Sequence, residues 1–375
     1  DLGDDRSRFG SWEQATGWSF RLMRRFWIAH FEFVKDRSLD GARRLEEVYR
    51  KEGKIDRETL KPRRMWPFWS ALAALLLLVA AGAVGAWFYV TYLRPVEVDL
   101  APGVRAVLGG GGNSLIVEDG GELLVVDPKF PPASGWLRRR ISKSTNAPVR
   151  TVVNTHYHYD HTEGNAEYPG AKIFAHRAVP DLMMKYDGRW WGERRGAMPA
   201  ELVDETSLLR VGGQEVMLIH PGSPAHTRGD LWVFLRRGGV EIVVTGDLVS
   251  HTFYPFIDLN EGGTDVPGVI NAVRRMASQY PNALFVPGHG PVARAGDLLR
   301  FADYLQFIYD SVAAARRKGL SEDEAAAGVD SSRWDFRVLP SYHNGKLCWA
   351  TAETNVRWVY RMQSGTIDPR ENCTF

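Results

Sequence analysis

Cysteine is scarce: Cys348 and Cys373 are the only two among 375 residues. Two sulfurs exclude a disulfide scaffold and every zinc site built from cysteine alone. A surplus of positive charge is missing too. The 47 Lys and Arg against 45 Asp and Glu leave +2, too little for a chain whose main task is binding nucleic acid. There is no internal repeat and no low-complexity tract. No Gly-X-Ser-X-Gly elbow marks a serine nucleophile. Four glycines run from Gly109 to Gly112, but no Gly-Lys-Ser/Thr follows, so a hairpin turn is expected there and not a phosphate loop. What the chain does hold is ten histidines, which direct any metal chemistry toward imidazole and carboxylate. Apolar residues at 44% and charged residues at 25% are the balance of a chain folding around a core. The length implies two or three units.

One charge-free stretch divides the sequence. No Asp, Glu, Lys or Arg occurs from Met65 to Leu93, and about 20 apolar residues suffice to cross a bilayer as a helix. Trp66, Phe68 and Trp69 at one end and Trp87, Tyr89 and Tyr92 at the other fit the two aromatic belts of a span. The preceding 15 residues hold Lys51, Lys54, Arg57, Lys61, Arg63 and Arg64, whereas the following 15 hold only Arg94 and Arg105. That asymmetry predicts a cytoplasmic N-terminus and an extracytoplasmic (periplasmic) C-terminal part in a single-pass inner-membrane protein. Ala81/Gly85 and Gly82/Ala86 place small residues four apart, which lets a partner helix approach closely but is also ordinary membrane-helix composition.

Before the span, residues 1–67 carry 16 Lys and Arg against 12 Asp and Glu. Within them Phe20, Met23, Trp27, Phe31 and Val34 recur at helical spacing, with Arg21, Arg24, Arg25 and Glu32 between. Such a basic, aromatic amphipathic helix, which includes His30, suits an anionic membrane surface or a partner; it could equally pack on a helix near Arg43–Lys51.

After Arg94-Pro95 the pattern turns to short β-type runs: Val104–Leu108, Ser114–Glu118, Glu122–Val126 and Val149–Asn154. The last delivers the decisive feature, His156-Tyr157-His158-Tyr159-Asp160-His161. These four ligand-type side chains cannot face one way on a regular strand or helix, but on a tight loop they can converge. Four are also more than one ion takes with positions left open, which suggests two metals.

His-X-His-X-Asp-His resembles the metallo-β-lactamase superfamily, and the later parts of that pattern follow in order. They are His226 in Gly-Ser-Pro-Ala-His-Thr-Arg-Gly-Asp, Asp247 in Val-Val-Thr-Gly-Asp, and His289 in Val-Pro-Gly-His-Gly-Pro. The resemblance covers about residues 96–310. It implies an α/β fold, the αββα sandwich, preceded here by one transmembrane helix and an N-terminal amphipathic helical segment. By resemblance His156, His158 and His226 hold one zinc, Asp160, His161 and His289 the second metal, and Asp247 bridges them as in glyoxalase II-like members. The zinc β-lactamases proper lack that aspartate, and one group uses a cysteine ligand that has no counterpart here. Flavodiiron relatives carry glutamate where His158 stands. Mononuclear iron members such as persulfide dioxygenases share much of the motif, so iron stays an alternative to two Zn²⁺.

The expected division is therefore residues 1–65, basic and helical; 66–93, the span; 94–310, the metal domain; and 311–375, a C-terminal helical extension with helices at Phe301–Lys318, Glu322–Ala327 and Cys348–Met362. The expected activity is that of a membrane-anchored hydrolase: a hydroxide shared by two zinc ions attacks an ester, lactone, thioester or amide. Asp160 is its catalytic residue, holding that hydroxide. The partner is a small-molecule substrate, with no nucleic acid. The alternative is an accessory subunit of a larger membrane complex that keeps the fold as a scaffold, with the small-residue helix face contacting partner helices. Asp230 could orient a ligand or cap a turn. Asp127 reads as a structural turn residue near the site, and His251 and Tyr254 could face substrate. Trp190, Trp191, Met183 and Met184 could line an apolar pocket or pack on the core. His176, His220 and His343 read as structural. Cys348 and Cys373 are the one pair that could bond in an oxidising compartment.

Overall fold

The computed structural model describes residues 66–260, 263–343 and 346–366, together with Ile28, Arg43 and Glu47. Apart from these three positions, the amphipathic N-terminal segment lies outside the described residues, as does Cys373. The chain forms two compact units, Asp1–Gly82 and Ala83–Phe375.

Helix α1 (Trp66–Phe88) is apolar on every side, the pattern of a helix that needs no polar face. Its backbone groups bond within the segment, which is what a hydrocarbon surrounding demands. The 22 residues Leu72–Leu93 are long and apolar enough to cross a membrane, and none of that stretch is buried. No atom comes within 4 Å of where a side chain would start at Gly82 or Gly85, so the small-residue face is open among the described residues. The helix widens into a π turn, Tyr89–Leu93, and stops at Arg94, which is extended at φ −70° and ψ 115°. Pro95 enforces that ending, because its ring disfavours helical geometry in the preceding residue.

The second unit begins with a seven-stranded sheet whose order follows the chain: β1 (Val96–Ala101), β2 (Val104–Leu108), β3 (Ser114–Asp119), β4 (Glu122–Val126), β5 (Val149–Val153), β6 (Lys172–His176) and β7 (Glu201–Val203). β1 to β4 are antiparallel hairpins, and β4 to β7 run parallel. A five-stranded sheet holds β8 (Thr206–Val211), β9 (Gln214–Ile219), β10 (Trp232–Arg237), β11 (Val240–Ser250) and β12 (Leu284–His289), in the order β12-β11-β10-β9-β8. β11 and β12 are its parallel pair.

Period-two alternation decides what each face meets. Leu115 and Val117 of β3 and Leu124 and Val126 of β4 point inward, packing in one cluster with Val216, Leu218, Val233 and Val244 from the other sheet. Ile116, Leu123 and Val125 point outward, under Leu137 and Ile141 of α2 (Ala133–Ser144). On the far side Val243 and Phe285 are covered by α5 (Val266–Gln279) and α6 (Ala295–Arg317). A single helical turn, α3 (Tyr159–Thr162), and α4 (Val179–Gly192) lie between β5 and β7. The result is helix, sheet, sheet, helix. Each fully buried Val or Leu in these layers stabilises the fold by roughly 1.5–3 kcal/mol.

The C-terminal region differs from the sequence expectation. α6 runs unbroken through position 310. After α7 (Glu322–Gly328) the chain forms a hairpin, β13 (Leu339–His343) and β14 (Lys346–Ala350). Cys348 therefore sits in a strand, buried and not free. The last helix, α8 (Ala352–Ser364), starts where Thr351 and Thr354 form a capping box. Ala350, Val356, Trp358 and Val359 join the same core as α5 and α6, which makes this segment part of the outer helical layer.

Candidate metal centre

The ligand-type residues come from loops that follow strands and, in two cases, from strands themselves. β5 stops at Val153, and the Asn154 side chain fixes the following loop by donating to the His161 carbonyl at 3.1 Å and to Asn165 Oδ1 at 3.0 Å. His156 and His158 precede the turn α3; Asp160 and His161 lie on it. His226 comes from the β9–β10 connection, Asp247 from β11 and His289 from the last residue of β12. Asp247 lies within an eleven-residue strand and not after it, because a bulge at Gly246 re-aims the side chain without ending the pairing.

Two glycines are required by the site. A side chain at Gly288 would begin 1.8 Å from Asp247 Oδ1, and one at Gly112 would begin 2.4 Å from the His161 ring. The backbone must pass that close for the two sheets to share one cluster.

The seven residues come together as two groups, His156, His158, His226 and Asp247, and Asp160, His161 and His289. In the first, His158 Nδ1 is 2.9 Å from His156 Nε2 and 3.1 Å from His226 Nε2. In the second, Asp160 Oδ2 is 3.5 Å from His289 Nε2. Asp247 stands between them: Oδ1 lies 3.2 Å from His161 Nε2, and Oδ2 lies 3.4 Å from His289 Nε2, 3.7 Å from His226 Nε2 and 3.8 Å from His156 Nε2. His161 Nε2 and Asp247 Oδ1 are buried with no hydrogen-bond partner. Orphaned buried polar atoms are costly, and a cation between the groups satisfies both. Nitrogen and carboxylate donors are what zinc or iron accept, so the residues present fit a metal centre.

A surrounding layer fixes which nitrogen of each ring faces the cluster. Asp127 Oδ2 accepts from His161 Nδ1 at 2.8 Å while its oxygens also accept from Thr155 N and Oγ1. It is more than a turn residue. Asp258, fully buried, accepts from His158 Nε2 at 3.2 Å and from the Tyr157 hydroxyl at 2.5 Å. Burial alone would raise the Asp258 pKa; the hydrogen bonds and charge of His158, with the Tyr157 hydroxyl, hold it down at about 2. Burial, then the neighbouring His161, pushes His156 well below its ordinary value, and burial brings His226 down to about 4. Both rings are thereby held neutral, as ligation requires. Lys129 is entirely buried, and its Nζ donates to the carbonyls of Val107 at 3.0 Å, Gly109 at 2.6 Å and Gly112 at 2.8 Å. This side chain pins the glycine turn against the cluster.

A cavity of about 1070 Å³ opens above, with His158, Asp160, Asp247 and His289 in its lining. Trp190 lines it, whereas Met183 and Trp191 are buried in the core under α4. His251 and Tyr254 do not line it: His251 Nδ1 meets the Pro291 carbonyl at 3.0 Å and Tyr254 packs on Tyr304 and Phe336. Asp230 accepts from Thr227 N and Oγ1, both at 2.8 Å, which makes it the cap of the turn carrying His226. Asp258 and Lys129 were not legible from any motif.

A four-layer α/β sandwich with this cluster at its strand ends defines the class. Residues 107–289 match the family model of the metallo-beta-lactamase superfamily. Among known proteins it is 25% identical over 217 residues to the beta-lactamase-like protein 2 homolog of Caenorhabditis elegans, covering 54% of this chain and 66% of that one. It is 29% identical over 138 residues to the cytoplasmic hydroxyacylglutathione hydrolase of Arabidopsis thaliana, covering 36% and 46%. The matches thus span less than two thirds of either relative. In fold it is similar to a stereoselective inverting sec-alkylsulfatase from Pseudomonas sp., with a TM-score of 0.57 and 17% identity, covering 75% of this chain and 52% of that one.

Proposed function

We propose that this chain is a membrane-anchored, metal-dependent hydrolase of an ester, lactone, thioester or amide. The carrying observation is the pair of ligand groups sharing Asp247 on the floor of an open cavity. His156, His158 and His226 would hold one ion, Asp160, His161 and His289 the other, with Asp247 between. Two divalent cations, zinc in first place, would supply a lowered water pKa and polarise the substrate oxygen. Asp160 lines the cavity and its Oδ2 would accept a hydrogen bond from the attacking water, orienting it toward the carbonyl carbon. Tyr157 and Asp258 hold His158 in place, and Trp190 with Phe256 narrows the space left to bulk water. A relative whose name is a hydrolase supports the reaction class. Leu72–Leu93 is the anchor, with the N-terminus cytoplasmic and the metal domain periplasmic by the flanking charges. The open cavity above the cluster favours chemistry over the scaffold role.

The test is metal content by elemental mass spectrometry on the detergent-purified chain, with His158→Ala beside it, followed by hydrolysis of a water-soluble nitrophenyl acetate. About two zinc ions per chain, fewer in the variant, and chelator-sensitive hydrolysis are expected. A single iron would move the reading to sulfur oxidation, and no metal under zinc-replete conditions would end it.

A further inference from the structure

The cavity has two unlike ends. Its floor is the ligand cluster, with Glu163 and Asp187 beside Asp160. Its lip takes in the end of the apolar stretch, the start of β1 and a residue of β14. Val90, Leu93, Val96 and Leu347 all line it and are 59%, 37%, 49% and 47% exposed. Large apolar side chains left open in a cluster mark a surface that meets something apolar. Two guanidinium groups, Arg94 and Arg337, share this lip. Arg337 lies over the rings of Tyr92 at 5.9 Å and Phe253 at 4.8 Å, and neither arginine is ion-paired with a carboxylate among the described residues.

One short loop joins lip to floor. A side chain at Gly109 would start 2.8 Å from the Arg94 carbonyl, and one at Gly110 would start 3.4 Å from the Leu93 carbonyl. On the loop's other side a side chain at Gly111 would start 3.2 Å from Asp160 Cβ, and one at Gly112 would start 2.4 Å from the His161 ring. Three Cα–Cα steps of 3.8 Å reach at most about 11 Å. The end of the apolar helix and the reacting centre are therefore separated by little more than that loop.

We propose that the substrate is an anionic amphiphile drawn from the membrane surface, an acyl ester carrying a negatively charged headgroup. Its chain lies against the apolar lip, and Arg94 and Arg337 meet the anionic group with charge-assisted hydrogen bonds. Water adds to the acyl carbon, the acyl C–O bond breaks, and the fatty acid and the headgroup alcohol leave, the proton of water passing to the alcohol oxygen. This deepens the proposed function and rests on both its parts, the hydrolytic metal centre and the span.

The test reconstitutes the zinc-loaded full chain in phosphatidylcholine vesicles doped with lysophosphatidylglycerol or, separately, lysophosphatidylcholine, and reads fatty-acid release. Vesicle flotation and nitrophenyl acetate hydrolysis run alongside. Expected are cofloating protein and a preference of about tenfold or more for the anionic lysolipid. Two charge-assisted contacts are lost in Arg94→Gln/Arg337→Gln, so that preference should disappear, the two lysolipids then being cleaved at about equal rates. Leu93→Asn/Leu347→Asn, both at exposed positions, should instead flatten the dependence of rate on acyl length. Hydrolysis of the acetate with neither lysolipid cleaved, or both cleaved equally, overturns the amphiphile and leaves the hydrolase standing. Hydrolysis without flotation overturns the membrane source. No chelator-sensitive hydrolysis of anything overturns the proposed function itself, and this inference with it.

Discussion

His158 turns its Nδ1 toward the cluster because its other nitrogen is already committed to Asp258. Without that carboxylate the imidazole is free to rotate or to change tautomer, and a ligand that must first be oriented binds more weakly. We expect Asp258→Asn, which keeps the volume, to lower metal affinity about 10–100-fold with an unchanged far-ultraviolet dichroism spectrum. Competition against a chromophoric chelator measures this, and equal affinity in the two proteins would refute the orienting role. The seven clustered residues could be read from the sequence because their spacing is a pattern of the chain itself. Asp258 could not. It reaches His158 from a loop 100 positions away, and only the packing of the second sheet's helical layer brings it there. Lys129 escaped notice for a related reason. A lone lysine after a strand reads as surface, and its burial depends on three carbonyls whose convergence is set by glycine backbone angles.

Among elements, the strands were the most legible part, since short runs of β-type apolar residues bounded by glycine turns mark them directly. β2, β3 and β4 fall where those runs put them. The C-terminal hairpin was hidden because β13 and β14 are short and amphipathic at either period, and Pro340 speaks against a strand interior. The neighbouring ends of β6 and β9 offer a measurable consequence. His176 stacks on His220 with ring centres 4.2 Å apart, and its Nδ1 accepts from the Ala178 N–H at 3.2 Å, which needs the neutral ring. Burial, then the His220 and Arg177 charges, lowers His176 to about 4. The unfolded chain takes up its proton first as pH falls, near the ordinary 6.5. Stability from this pair is therefore complete above about pH 6.5 and is lost progressively down to about 4. Urea unfolding of wild type and His176→Gln across pH 4–7.5 should give curves that converge on acidification. Parallel curves would show that the stack does not titrate in this window.

At the scale of the whole second unit, the cluster is where both sheets bring ligand-type side chains to a single group. β5 belongs to the first sheet, β11 and β12 to the second, and the connection bearing His226 joins β9 to β10. That junction buries His161 Nε2 and Asp247 Oδ1 without a hydrogen-bond partner and crowds five imidazoles around two carboxylates. A bound cation converts the same atoms into a cross-link between the layers, and it stabilises only the folded chain, since the ligands are scattered once it unfolds. At free metal about 100-fold above Kd, one site adds about 2.7 kcal/mol, worth roughly 5 °C or more in Tm for a unit of this size. We expect chelation of the detergent-purified chain to lower Tm by at least that amount and zinc to restore it. Because the stabilisation runs through Asp247, which faces both groups, Asp247→Asn should remove most of the response to zinc, whereas Asp160→Asn, touching one group only, should leave a substantial part of it. A Tm indifferent to chelator and to added zinc or iron would mean that the sheets are held together without a metal, and the seven side chains would then need another explanation.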